Sequence, residues 1–399
     1  MIWVIGDIHG MLDPLKRILA KIRQIEERDE PVEKIIFIGD YIDHGPSSKE
    51  VIDLIQGLEY EKVCLAGNHE DLVLRFMNQD ELYLEKNGNL WFNNGAVDTY
   101  ESIYDDKDHA KLIRRLIENR DKFLDLYNYT HILDSYEGLE LPEKYEAFFK
   151  GLKYSHREEF KLPGKRLRFA FLHGLPRPSL GLGEQMVESY GDFTGLLMGL
   201  GGSGGSSSGD DPDDRSEMTR NYSSNLEHSH LWNRDYGYSD GSLSPEAKGH
   251  GGEIVVHGHT PTIFYNDYYS ENDFGPLYGQ FARYQQDLRL PFLFSRSKES
   301  GYGAGGQASC AMPPGRGRLW GPIGDNSYLC GRQGGVEAIN VDTAAVYGGA
   351  LTALGLSATY LPGGIMPLLT VRTSAGQRSP RDKVMARAIH AHRLGGPAR

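Results

Sequence analysis

Five short segments collect residues of the kind that hold divalent metal: Gly-Asp-Ile-His-Gly at 6–10, Gly-Asp-Tyr-Ile-Asp-His-Gly at 39–45, Gly-Asn-His-Glu at 67–70, Leu-His-Gly at 172–174 and His-Gly-His-Thr at 257–260. Their donors are carboxylate, amide and imidazole, with no sulfur; Cys64, Cys310 and Cys330 all lie outside them. Donors of that hardness suit Mn, Fe, Zn or Mg rather than copper or an iron–sulfur cluster. Two such ions roughly 3.5 to 4 Å apart lower the pKa of a shared water and clamp a phosphoryl group during in-line displacement. A single Gly-Asp or Gly-Asn is weak, because these pairs recur at turns for backbone reasons. The ordered set, each member closing an apolar run, is specific.

The residues divide into roles. Asp7 and His9 are two apart at a strand end, where the period of two turns both toward one ion. Asp40 has two oxygens and can bridge, while Asn68, His173 and His259 complete the shell of the second ion. The bridging water, ionised near neutrality, is the expected nucleophile. His69 directly follows a ligand and so reaches the leaving-group oxygen without binding metal, which makes it the candidate general acid, with Asp43 orienting its ring. Arg234, in Leu-Trp-Asn-Arg-Asp at 231–235, offers a planar fork for phosphate oxygens. Glu70 is read as orienting its loop, His257 as supporting the site without touching metal, Trp232 as core, and His228 and His230 as solvated surface.

The elements that must carry these residues alternate over the first 70 positions: strand 2–6, helix 11–27, strand 34–38, helix 47–57 and strand 62–66, a βαβαβ pattern. Polar residues emerge at strand carboxyl ends, where open α/β sheets place their sites. Residues 71–151 read as mostly helical, a wall for a cleft, with 112–117 and 145–150 the clearest amphipathic stretches. Strands are expected again at 152–157, 166–172 and 253–257, with closing strands at 336–341 and 350–358. The Gly/Ser/Asp run at 199–217 is too polar to order itself. Residues 266–334 show no clean periodicity and are assigned nothing beyond short strands. One domain over 1–372 and a basic, disordered tail over 373–399 are expected.

A net charge of -12 argues against nucleic acid or an anionic membrane as partner, since phosphates would be repelled. No apolar run approaches a membrane span, and the N-terminus has no basic region or long apolar stretch of a signal peptide. Three cysteines suit a reducing compartment, although Cys310 and Cys330 could pair if the protein were exported. The expected location is the cytoplasm.

The chain resembles the PPP-type metallophosphatases, in particular bacterial and phage serine/threonine protein phosphatases. The family pattern is Gly-Asp-x-His-Gly, Gly-Asp-x-x-Asp-Arg-Gly, Gly-Asn-His-Glu, His-Gly or His-Ala, an Arg after Trp-Asn, and Gly-His-Thr. The stretch Asn-Val-Asp-Thr-Ala-Ala-Val-Tyr-Gly-Gly at 340–349 is similar to the family's late Asp-Thr-Gly-Ala-Val segment. The resemblance covers about 1–175, 228–265 and 336–360. It implies an α/β fold, a β-sandwich of mixed sheets flanked by helices (α/β/β/α) with loop insertions. It further implies two divalent ions, above all Mn, on Asp7, His9, Asp40, Asn68, His173 and His259; the acid pair His69 and Asp43; a phosphate clamp at Arg234; and a phosphoprotein or phosphopeptide substrate. One position departs. The family's second motif ends Asp-Arg-Gly, and here His44 replaces the Arg, a phosphate ligand. A neutral imidazole offers one donor where guanidinium offers several, so His44 is expected either to contact phosphate or to pack in its loop. A related dinucleotide branch, the symmetrical diadenosine tetraphosphate hydrolases, has the same metal core but reads Gly-Asn-His-Asp, so Glu70 favours the protein phosphatases. A catalytically impaired metal-binding regulator is the third reading, with His44 as its first sign.

Overall fold

The computed structural model describes residues 1–78, 91, 94–104, 141–199, 222, 224–234, 250–262, 337–363 and 365–373, with short strands at 238–239, 242–243, 292–294 and 327–330. The expectations for 112–117, for most of 199–217 and 266–334, for Cys310 and for 374–399 lie outside the described residues.

The opening strand β1 (Ile2–Ile5) is apolar on both faces, and its alternation sorts its side chains into two cores. Trp3 and Ile5 pack toward helices, while Ile2 and Val4 pack toward a second sheet. β2 (Lys34–Phe37) repeats the division, with Ile35 and Phe37 on the helix side and Ile36 on the other. β1 pairs in parallel with β2, and β2 with β3 (Lys62–Cys64). The crossovers are α1 (Leu12–Glu26), which buries Leu15, Ile18, Leu19 and Ile22, and α2 (Ser48–Gln56), which buries Val51, Ile52 and Ile55. Spacings of three and four residues put each set on one helical face against the sheet. Pro14 sits in the first turn of α1, where no backbone N–H is required.

Among the described residues three further helices of eight or more residues follow before the second sheet's strands: α3 (Asn68–Met77), α4 (Ala96–Tyr104) and α5 (Glu143–Lys150). The described parts of 71–151 are thus helical, and the amphipathic stretch at 145–150 falls in α5. Strand β4 (His156–Leu162) corrects the expectation of a strand at 152–157: Lys153 makes only an isolated bridge with Leu65, and the regular ladder begins at His156. β5 (Lys165–Phe171) pairs antiparallel with β4. Two short helices, α6 (Leu182–Gln185) and α7 (Tyr190–Gly199), precede a two-stranded ribbon of β6 (Tyr238–Ser239) and β7 (Ser242–Leu243).

The remaining strands are β8 (Ile254–His257), β9 (Phe292–Phe294), β10 (Ser327–Cys330), β11 (Ala338–Asn340), β12 (Ala350–Leu356) and β13 (Ile365–Arg372). One mixed sheet has the order β10-β13-β12-β1-β2-β3 and the other β4-β5-β8-β11-β9. Their facing sides enclose a core that includes Val4, Ile36, Phe169, Phe171, Val256, Ile339 and Leu354. On the far side of the second sheet, at β4 and β5, Arg157, Glu159, Arg166 and Arg168 are exposed and pair with one another or with Glu253. The sandwich therefore brings the carboxyl ends of six parallel-paired strands, three from each sheet, to the same region.

Candidate metal centre

Asp40 stands at the middle of this convergence. Its Oδ2 lies 3.3 Å from His9 Nε2, 3.4 Å from His173 Nε2 and 3.9 Å from His69 Nε2. Asn68 Oδ1 lies 2.9 Å from His173 Nε2 and 2.8 Å from His259 Nδ1. Donor atoms of Asp7, His9 and Asp40 fall within 4.8 Å of one another, as do those of Asp40, His173 and His259. All six expected ligands are buried. Two of the imidazoles are aimed from behind: the Nδ1 of His9 bonds Ile42 O at 2.8 Å and that of His173 bonds Ile38 O at 2.9 Å, so each ring's Nε2 is the atom left for metal.

The local backbone explains how these side chains meet. β1 ends at Ile5, so His9 lies beyond the strand, and its φ of 48° shows that a turn aims it where strand alternation had been expected to. The turn is fixed by Asp40 O, which accepts from the amides of Ile8 at 2.9 Å and His9 at 2.8 Å. Among the described residues six non-glycine residues have positive φ, and five of them (His9, Asp40, Asp43, His44 and His259) belong to the site segments. Such backbone costs of order 1–3 kcal/mol at each position and persists only where surrounding contacts enforce it. Glu70 supplies much of that enforcement, accepting from the amides of Asp40 (2.8 Å), Tyr41 (2.8 Å) and Gly67 (2.8 Å). Two glycines allow the close packing: a Cβ on Gly67 would stand 2.1 Å from Asp40 Oδ1, and one on Gly258 would stand 2.0 Å from Asp7 Oδ1.

Charge is unevenly spread. Burial, then Asp342 and Asp40, pushes the Asp7 carboxyl well above its usual range. Burial also opposes ionisation of Asp40, yet His173, His69 and His9 together hold it well below that range. Asp342 is pushed to about 7 by burial and by Asp40. Burial, then Arg234 and His173, holds His259 well below the usual imidazole value, and burial lowers His9 to about 3. Buried carboxylates crowded this closely ask for a compensating cation.

His69 is set apart. Its Nδ1 is 2.6 Å from Asp43 Oδ2, and although burial lowers its pKa, Asp40 and Asp43 outweigh that and raise it to about 9. Asp43 is fully buried and accepts from Trp91 Nε1 at 3.0 Å and Thr99 Oγ1 at 2.6 Å, while its amide donates to Thr99 Oγ1 at 2.8 Å. Arg234 is half-buried, with Nη1 donating to Trp232 O at 3.3 Å; the same carbonyl lies 3.1 Å from His259 Nε2. The half-buried His44 ring stands 5.0 Å from that of His9 and 5.1 Å from that of His69. The structure thus gathers every residue singled out for metal, acid or phosphate. His257 lies outside the donor groups and its Nδ1 faces Gly258 O at 3.1 Å. His230 is a correction: it is completely buried against Phe193, with Nε2 3.1 Å from Tyr154 O, because 229–234 threads under the site and its carbonyl takes the Gly174 amide at 2.7 Å. Trp91, Thr99 and Asp342 were given no role by sequence reasoning. Only Asp342 had a signal, its place in the Asp-Thr segment.

The chain matches the family model described as calcineurin-like phosphoesterase over residues 1–279. It belongs to that family. Among relatives of this phosphoesterase, serine/threonine-protein phosphatase 1 of Salmonella typhimurium is 36% identical over 93 residues, 23% of this chain and 40% of that protein. A symmetrical bis(5'-nucleosyl)-tetraphosphatase of Pseudomonas fluorescens is 27% identical over 173 residues, 43% of this chain and 52% of that protein. An asymmetrical bis(5'-nucleosyl)-tetraphosphatase of Anoxybacillus flavithermus is 37% identical over 79 residues, 18% and 32% of the respective chains. The chain thus spans about half the length of these relatives or less.

The donor set fits the divalent metal that calcineurin-like phosphoesterases use. Asp7 Oδ1 is buried with no hydrogen-bond partner, an orphaned anionic acceptor beside His9 and Asp40. The glycine cradles at 67 and 258 leave both carboxylates sterically open. Among the described residues of this phosphoesterase, no helix is long and apolar enough to cross a membrane.

Proposed function

We propose that the protein is a dinuclear-metal phosphomonoester hydrolase whose substrates are phosphoserine and phosphothreonine in proteins. Asp7, His9 and Asp40 would hold one ion, and Asp40, Asn68, His173 and His259 the other, with Mn as the expected metal. When bound, such a pair supplies a water of lowered pKa and stabilises charge on phosphoryl oxygens. Arg234 and His44 hold the phosphoryl group from the protein side. His69 gives its Nε2 proton to the departing oxygen while Nδ1–H stays on Asp43.

The observation that carries the reading is the 2.6 Å contact between His69 and Asp43, braced by Trp91 and Thr99. A serine or threonine alkoxide is a strongly basic leaving group and needs a proton as it departs, whereas the nucleotide released from a dinucleoside polyphosphate leaves as a stable phosphate anion. A positioned, readily protonated imidazole supports the first substrate. Tetraphosphatases among the relatives keep the second reading in play. Glu70 does not discriminate by touching substrate, since both its oxygens are spent on backbone amides of the site loops.

With Mn²⁺ added, the protein is expected to hydrolyse p-nitrophenyl phosphate and a phosphoserine peptide and to favour the peptide over diadenosine tetraphosphate. His69→Gln should lower kcat by about 10² to 10⁴ on the peptide and far less on p-nitrophenyl phosphate, whose leaving group needs little protonation. Equal losses on both substrates would remove the acid role, and preference for the dinucleotide would establish the second reading.

A further inference from the structure

Beside the carboxylate-rich cluster stands a donor set of another composition. The rings of His9, His44 and His69 meet edge to face, with centroids 5.0 Å, 4.8 Å and 5.1 Å apart and interplanar angles of 78°, 82° and 66°. One nitrogen from each lies within 4.8 Å of the other two. Both outer rings are fixed by their far nitrogens, His9 Nδ1 on Ile42 O at 2.8 Å and His69 Nδ1 on Asp43 at 2.6 Å. Their Nε2 atoms both lie within 4 Å of the same Asp40 oxygen, at 3.3 Å and 3.9 Å, so the two potential ligand atoms converge.

We propose that His9, His44 and His69 form an alternative, inhibitory binding site for zinc-class ions. Three imidazoles with an open fourth position are a characteristic zinc donor set, while manganese and magnesium favour carboxylate and water. Zinc shared by two imidazoles at 2.0–2.1 Å sets their nitrogens about 3.4 Å apart, and His44, the half-buried member, turns inward to close the wider spacing. The family's Arg at this position would bring a fixed cation; His44 brings a third nitrogen instead. His9 has only Nε2 to offer, so this site and the His9–Asp7–Asp40 group exclude one another. An ion on His69 Nε2 also leaves that ring no proton to give. The inhibitory consequence rests on the proposed function, in which His9 holds an ion and His69 is the acid; the site itself does not.

The test uses the full-length, manganese-loaded protein titrated with Zn²⁺ in the peptide assay and with Co²⁺ as an optical probe, because four-coordinate Co²⁺ absorbs visible light far more strongly than six-coordinate. Wild type is expected to take up one equivalent of Co²⁺ with an intense visible band, to release one equivalent of manganese as it does so, and to lose peptide hydrolysis over the same concentration range. His44→Arg and His44→Asn, each measured against its own zinc-free rate, should lack the band and need about tenfold or more zinc for half-inhibition. A band and inhibition that persist unchanged in both variants, or no band in wild type, would overturn the site. A His44-dependent band without inhibition would keep the site and refute both its inhibitory effect and the proposed roles of His9 and His69 in the reaction.

Discussion

Asp43 holds no metal in any donor group, yet it is bound as tightly as the ligands themselves. It sits with one oxygen on His69 and receives Trp91 and Thr99 besides, all buried. This matters because the charge state of His69 depends on it: Asp40 and then Asp43 raise that imidazole against the lowering effect of burial. Asp43→Asn removes one raising influence, so the proton on His69 is lost at lower pH. The alkaline limb of kcat/KM for a phosphoserine peptide should then move to lower pH in the variant, and an unchanged limb would show that Asp43 does not set the acid. Sequence alone put Asp43 beside His69 through the spacing of two motifs. It was blind to Trp91 and Thr99, because a helical pattern shows which face is apolar and not which polar side chain reaches across 48 or 56 residues to a buried carboxylate.

At the scale of elements, the site depends on strand ends brought too close for ordinary side chains. Gly258 follows β8 from the second sheet and abuts Asp7, which follows β1 of the first, and a Cβ there would lie 2.0 Å from Asp7 Oδ1. Gly258→Ala must therefore displace the carboxylate, and metal analysis after manganese loading should find fewer equivalents retained than in wild type. Gly195→Ala makes the same chemical change inside α7, where nothing lies within 4 Å of the added methyl. It should leave metal content intact and stabilise by up to about 1 kcal/mol through helix propensity. The strands that carry the site were legible because each is a short apolar run with a motif at its end. β4 was not, since His156, Arg157, Glu158, Glu159 and Lys161 make it read as polar, although its alternate side chains face outward and only Phe160 and Leu162 are buried. β13 was missed altogether. Pro367 within Ile365–Arg372 argues against a strand flanked on both sides, yet β13 pairs with both β10 and β12.

Across the whole molecule, the expected ligands join two sheets: Asp7, His9, Asp40 and Asn68 follow strands of the first, and His173 and His259 follow β5 and β8 of the second. Ions bound there act as a cross-link in the folded state that the unfolded chain cannot reproduce, so binding adds directly to stability, about 2.7 kcal/mol at a free ion concentration one hundred times Kd. Manganese should raise Tm and a chelator should return it to the metal-free value. Without metal, His69 supplies a second signature. Its pKa in the fold is about 9 against an ordinary 6.5, so the folded protein holds that proton more tightly than the unfolded chain does. The resulting stabilisation is complete below pH 6.5 and is lost as pH rises through about 9. Groups pushed to about 7, Glu70 and Asp342, lose the last of their share just above pH 7 in both proteins, and the imidazoles held low, His9 and His257 at about 3, act only on the acid side. Between pH 7 and pH 9 the metal-free wild type should therefore lose Tm while metal-free His69→Gln loses less over the same interval. Thermal melts of both proteins in chelator at the two pH values make the comparison, and parallel declines would place the alkaline sensitivity in some group other than His69.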